Sequence, residues 1–206
     1  TKWMDWGKDH YATVTWSNAP EGRHIALAWM SNWQYANNVP TTQYRSGNSV
    51  PRDLSLYTSD GETYLKSSPS RELLTLRGKG EKKRSFKVDR TYNMDKLLAD
   101  NAGSYEIEMT IKNRNAEGIG FQLFNSKGEE VDIYYNLVEK KFAMDRTKSG
   151  IVSFSPDFPV VTFAPIEDNY EIKLRIFVDK SSIEIFGDDG RLAMTNLVFP
   201  SEPYNR

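Results

Sequence analysis

Leu174-Arg175-Ile176-Phe177-Val178-Asp179-Lys180-Ser181-Ser182-Ile183-Glu184-Ile185-Phe186 is the stretch whose pattern decides the fold. Tyr170, Ile172, Leu174, Ile176 and Val178 alternate with Glu171, Lys173 and Arg175, the period of a strand with one face buried. Ile183 and Ile185 resume after Lys180-Ser181, which predicts a short hairpin, and Asp188-Asp189-Gly190 marks the next turn before Leu192, Met194 and Leu197. Outward from there, Tyr105, Ile107, Met109 and Ile111 repeat the alternation against Glu106, Glu108 and Thr110. Further strands are predicted at residues 11–16, 25–30, 120–124, 131–137 and 141–144, and only residues 94–99, from Met94 to Ala99, read as helical. Short strands separated by Gly, Asn and Asp turns define an all-β chain, most simply an antiparallel β-sandwich.

The composition narrows the function. A net charge of −1, from 27 basic and 28 acidic residues, provides no long-range field, so nucleic acid and anionic membrane surfaces are poor partners. Cysteine is absent, which excludes disulfides and thiolate chemistry. His10 and His24 are the only histidines, too few for a zinc site, and no Asp-rich loop offers the oxygens that calcium needs. Neither a metal nor a cofactor is expected. No apolar run approaches membrane-spanning length. The opening Thr1-Lys2-Trp3, without an initiator Met, reads as the start of a piece of something longer.

A domain boundary is expected after Leu54. Residues 1–54 carry too few strands for an independent core, whereas residues 55–206 carry enough for two packed sheets. Lys79-Gly80-Glu81-Lys82-Lys83-Arg84 reads as a solvated loop.

The first part holds the chemistry. Trp29-Met30-Ser31-Asn32-Trp33-Gln34-Tyr35-Ala36-Asn37-Asn38-Val39-Pro40 crowds aromatics and amides together, a poor recipe for a core and a good one for a sugar site. Aromatic faces stack on the C–H faces of a sugar ring, and amides both donate to and accept from hydroxyls. Around it stand Asp5-Trp6-Gly7-Lys8-Asp9-His10-Tyr11-Ala12 and Ser49-Val50-Pro51-Arg52-Asp53-Leu54-Ser55-Leu56. Together these segments resemble the last propeller blade of glycoside hydrolase family 32, the family of levanases, inulinases and invertases. Arg71-Glu72-Leu73-Leu74-Thr75-Leu76-Arg77, the 174–190 stretch and Asn196-Leu197-Val198-Phe199-Pro200 resemble that family's C-terminal sandwich.

The resemblance implies a partial blade of a five-bladed β-propeller followed by a β-sandwich, cut from a fructan hydrolase that is secreted or periplasmic. The family's catalytic carboxylates lie in Asn-Asp-Pro, Arg-Asp-Pro and acid-Glu contexts, and none of these occurs here. Arg52-Asp53-Leu54 has Leu where Pro is required. No catalytic residue is therefore expected in this chain, and the chain alone is expected to be inactive.

Trp33, Trp29, Asn32, Tyr35 and Asp9 are the candidate sugar contacts. Trp33 is preferred to Trp29, which continues the alternation of Ile25 and Leu27. Asp5 and Asp9 read either as turn formers beside Gly7 or as rim contacts. Asp179 and Glu184 flank a turn and are expected to face solvent, and Arg45 is expected to fix a blade edge. Expected partners are a fructan or sucrose-type carbohydrate, the N-terminal propeller of the parent, and another copy through the open blade edge at residues 11–16 and 25–30. A free-standing carbohydrate-binding module is the competing reading. An incomplete blade argues against it.

Overall fold

The computed structural model describes residues 2–98, 101–112, 116–166 and 171–206. Ala99 and Tyr170, which close one predicted element and open another, lie outside the described residues. The described residues form three antiparallel sheets. The first is a blade sheet of β1 (Tyr11–Thr15), β2 (His24–Met30), β3 (Gly47–Asn48), β4 (Arg52–Ser59) and β5 (Glu62–Pro69), ordered β1-β2-β4-β5 with β3 added on β2. The sandwich follows. One of its sheets joins β10 (Val161–Pro165), β9 (Lys141–Lys148), β8 (Glu130–Asn136) and β7 (Gly118–Phe124), and the other joins β13 (Leu192–Leu197), β12 (Ser182–Gly187), β11 (Glu171–Asp179) and β6 (Tyr105–Lys112).

The alternation read from the sequence places the core. Val131, Ile133, Tyr135, Phe142 and Met144 of one sheet pack against Ile172, Leu174, Ile176, Val178, Ile183, Ile185 and Met194 of the other. The hairpin at Lys180-Ser181 forms, with Asp179 opposite Ser182. The segment expected to be helical contributes one 3-10 turn, Asp95–Leu97, because a stretch that short cannot offset the cost of nucleating an α-helix.

Two features depart from the sequence reading. β4 runs unbroken through Leu54 and pairs with β5 as far as Pro69, so the boundary expected after Leu54 falls inside a strand. The expected boundary rests on counting strands on either side, and β4 belongs with the first group because it pairs with both β2 and β5. In addition, β2 is interior, paired with β1, β3 and β4, and only β1 presents the open edge expected of both.

The blade sheet covers the β13-β12 side of the sandwich, so every residue of β12 and β13 is buried. That cover corrects the expectation for Glu184, which lies 3% exposed opposite Thr195 and faces the blade instead of solvent. Asp179 sits at an exposed turn and accepts a hydrogen bond from Ser104 Oγ, 2.6 Å away.

Candidate functional site

The N-terminal segment locks the blade onto the sandwich. β13 is an edge strand, and Trp6 and Asp9 donate their backbone N–H groups to the carbonyls of Ala193 (2.8 Å) and Thr195 (3.1 Å) along it. The carboxylates complete the pairing: Asp5 Oδ1 accepts from Thr195 N (2.9 Å) and Asp9 Oδ2 from Leu197 N (2.8 Å). An exposed row of unpaired N–H groups is thereby removed from solvent. Gly7 is required for the approach, because a Cβ there would overlap the backbone of Thr195.

Two buried arginines rivet the contact. Arg52 of β4 bonds Asp5 (2.8 Å), Glu184 of β12 (2.8 Å) and Thr195 of β13 (2.5 Å), with the guanidinium over the Phe186 ring. Arg146 of β9 bonds Asp9 (2.5 Å), Tyr35 Oη (2.9 Å) and the carbonyls of Phe158 and Leu197 (2.9 Å each). Burial raises the Asp5 carboxyl, but the charges of Arg52 and His10 outweigh it and its pKa is lowered. For Glu184 burial outweighs the pull of Arg52, and its pKa is raised.

These contacts correct two of the candidate sugar ligands. Asp9 is fully buried in its ion pair. Tyr35 is 1% exposed, hydrogen-bonded to Asp9 Oδ1 (2.5 Å) and packed edge-on to Phe158 (5.3 Å between centroids). Neither offers a surface to a sugar. Tyr35 belongs to a second core, with Met30 and Val39 from the blade part and Phe158, Leu197 and Phe199 from the sandwich. Burial, then the Asp9 carboxylate, raises the Tyr35 phenol pKa, so it stays a neutral donor.

The remaining aromatics gather on the other face of β2. Ala26, Ala28 and Met30 are buried toward the sandwich, whereas Ile25, Leu27 and Trp29 lie on the half-open side. Trp33, 67% exposed, sits 4.8 Å from Trp29, and Tyr11 of β1 lies edge-on to Trp29 at 6.2 Å. The Trp29 indole N–H donates to Ser46 Oγ, which fixes the ring. Asn32 is turned inward: its Nδ2 donates to the Lys8 carbonyl (2.9 Å) and its Oδ1 accepts from Gln34 N (3.0 Å), so it shapes the loop that presents Trp33. Arg45 holds the same loop through the Asn37 and Val39 carbonyls.

The roles of Arg52 and Glu184 in the buried junction, of Arg146, and of Tyr11 beside Trp29 were not read in the sequence. For Arg146 a signal existed, since Phe142, Met144 and Arg146 share one face by period 2 and put an arginine in core register. Tyr11 faces Trp29 only through the β1–β2 register, which the sequence does not fix.

Known proteins resemble the chain over nearly its full length. The family model "Glycosyl hydrolases family 32 N-terminal domain" matches residues 1–69 and "Glycosyl hydrolases family 32 C terminal" matches residues 72–206, dividing the chain where the blade sheet ends. A levanase of Bacillus subtilis is 37% identical over 205 residues, covering 96% of this chain and 30% of the levanase. An extracellular exo-inulinase of Aspergillus niger is 31% identical over 208 residues, covering 97% of this chain and 38% of that protein. The crystal structure of exo-inulinase from Aspergillus awamori superposes with a TM-score of 0.85 at 28% identity, covering 98% of this chain and 40% of that one. The chain thus spans roughly a third of the length of the curated relatives it matches. With both family models in order along it, and relatives above 30% identity across almost all of it, the chain belongs to glycosyl hydrolase family 32.

Proposed function

We propose that this chain is the C-terminal part of a fructan-hydrolysing glycoside hydrolase, a levanase or inulinase acting on β-fructofuranosyl bonds. The sandwich braces the propeller of the parent, and the blade sheet contributes one wall of the sugar pocket. The observation that carries the second role is Trp33, an exposed ring set against the anchored Trp29 on the side of β2 that faces away from the sandwich. An aromatic held this way presents a flat apolar face at little cost in ordering. Trp33 and Trp29 are the sugar contacts in this reading, with Asn32 positioning the loop. The acid and nucleophile carboxylates of a retaining double displacement come from the rest of the parent, because none of the motifs that hold them occurs in these residues.

Fructose release from levan, inulin and sucrose tests the reading, measured for this chain and for the full-length protein. The full-length protein is expected to release fructose from at least one of them and the chain from none. Turnover by the chain within a few orders of magnitude of the full-length protein would overturn the assignment, since each 1.36 kcal/mol of barrier is a factor of about ten.

A further inference from the structure

The sheet β10-β9-β8-β7 turns one face to the core and the other away from the sandwich. Register places three rows across that outer face. The central row runs Gly120, Tyr134, Ala143, Phe163. On one side lie Gly118, Asn136, Lys141 and Pro165, and on the other Gln122, Asp132, Asp145 and Val161. Tyr134 and Phe163 are therefore two interstrand steps apart, about 9.5 Å, with the small Ala143 between them. Phe163 is 49% exposed, although it sits mid-strand in a sheet whose other face is a complete core.

Beside Tyr134 the surface is hollow. Gly118, Gly120, Tyr134 and Asn136 line an open depression that wraps the end of the β7–β8 pair, with Ile119 and Tyr135 of the core side also at its wall. Gly120 is required there, because a Cβ would stand 2.8 Å from Tyr134 Cβ and 2.9 Å from the Ile133 carbonyl. Glycine at this close approach also leaves the flank of Tyr134 open.

From this arrangement we infer that the outer face of β7–β10 is a second carbohydrate site, which holds a fructan chain laid across the strands over Tyr134 and Phe163. The chemistry selects a neutral polyol. Aromatic rings supply stacking along the central row, while Asn136, Gln122 and the carboxylates of Asp132, Asp145, Glu117 and Glu139 supply acceptors and amide donors on both sides. Asp132 and Asp145 on one flank disfavour an anionic polymer, while on the other Glu139 is paired with Lys141 at 3.4 Å. A glycine floor gives a protein partner little to interdigitate with. Burial, then Asp145, Asp132 and Glu139, raise the Tyr134 phenol pKa, so the ring stacks as a neutral phenol. The site faces away from the blade sheet, so it holds polymer near the enzyme without entering the pocket.

The inference rests on the fructanase reading, and the test separates the two. In the full-length enzyme, kcat/KM is measured on a long fructan and on its shortest cleavable oligosaccharide, for wild type, Tyr134→Ala, Tyr134→Phe and Glu139→Ala. Expected is a loss of about three- to tenfold on the polymer for Tyr134→Ala, with the oligosaccharide within about twofold and Tyr134→Phe close to wild type. Glu139 is exposed and its removal leaves the sheet intact, so Glu139→Ala decides the matter if Tyr134→Ala fails to fold: a polymer-only loss supports the site. Equal polymer and oligosaccharide rates in all variants would overturn the second site and leave the fructanase reading standing. No fructan cleavage by wild type would overturn both.

Discussion

β13 and β1 are strands of nearly equal length with opposite surroundings. Every residue of β13 is buried, Thr195 and Asn196 included, and every residue of β1 is exposed. β13 is covered on one face by the sandwich core, on the other by the blade sheet, and along its edge by the segment from Trp6 to Asp9. β1 has β2 as its one strand neighbour among the described residues. Polar groups beneath three covers need partners: Arg52 supplies one to Thr195, and Asn196 donates to Thr162 and accepts from the Lys8 amide. The side chains of β1 and of Trp33 are exposed and stand apart from the Arg52 and Arg146 contacts, so changes there should act on what binds and leave folding alone.

The contrast is tested hardest at Arg52. Arg52→Ala leaves the Asp5 and Glu184 carboxylates buried without their cation. Removing one partner from a buried pair costs about 3–5 kcal/mol, so denaturant unfolding should show a loss of that size. A loss below about 1 kcal/mol would mean that the blade–sandwich junction is not closed to water.

Next in size is a pH effect centred on His10, next to β1. Burial, then the charge of Arg52, lowers its pKa from 6.5 to about 4, against a smaller raising pull from Asp5. Between those values the unfolded chain holds a proton that the folded chain does not, so stability is full above pH 6.5 and falls as pH drops toward 4. The loss is about 3 kcal/mol at most. Asp5, with its lowered pKa, adds a loss of the same sign at still lower pH. Denaturant midpoints of His10→Phe should be nearly flat from pH 6.5 to 4.5 while wild type declines. Parallel curves would assign the acid sensitivity to another group.

Gly7→Ala should cost less, about 1–3 kcal/mol, by forcing the N-terminal segment off Thr195. Hydrogen exchange at the Thr195 and Leu197 amides should quicken in step, since Asp5 and Asp9 are their acceptors. An unchanged exchange pattern would separate the edge cover from the glycine.

How much of this was legible follows from the same contrast. In β11 the alternation is plain, because one face meets the core and the other is more open, and the strand, its hairpin and its core residues could all be read. In β12 a second cover removes the meaning of the polar positions, so Glu184 looked solvated and is buried. Asp9 and Tyr35 carried the residue types of a sugar site, but their partner Arg146 lies far along the chain, at |i−j| = 137 and 111. Only the folded register brings these groups together. Trp33, by contrast, was singled out from its own loop of aromatics and amides just after β2, and its exposure there depends on no distant partner.

The smallest effect on folding belongs to Trp33, and it sharpens the comparison most. Trp33 is exposed and, among the described residues, its aromatic contact is with Trp29, so Trp33→Ala should change the unfolding free energy by no more than about 0.5 kcal/mol. Trp29→Ala should cost more, because that ring is half-buried, touches Tyr11 as well and donates to Ser46. In the full-length enzyme the ranking should invert with respect to function. One stacked aromatic contributes about 0.5–1.5 kcal/mol beyond burial, so Trp33→Ala should lower kcat/KM on fructans by roughly two- to tenfold with the melting temperature unchanged. Trp33→Phe should restore most of that loss, since the requirement is a flat apolar face. If Trp33→Ala instead lowers the melting temperature of the full-length enzyme and leaves kcat/KM alone, its ring is buried against the rest of the parent, and the exposed side of β2 is a packing face in place of a pocket wall.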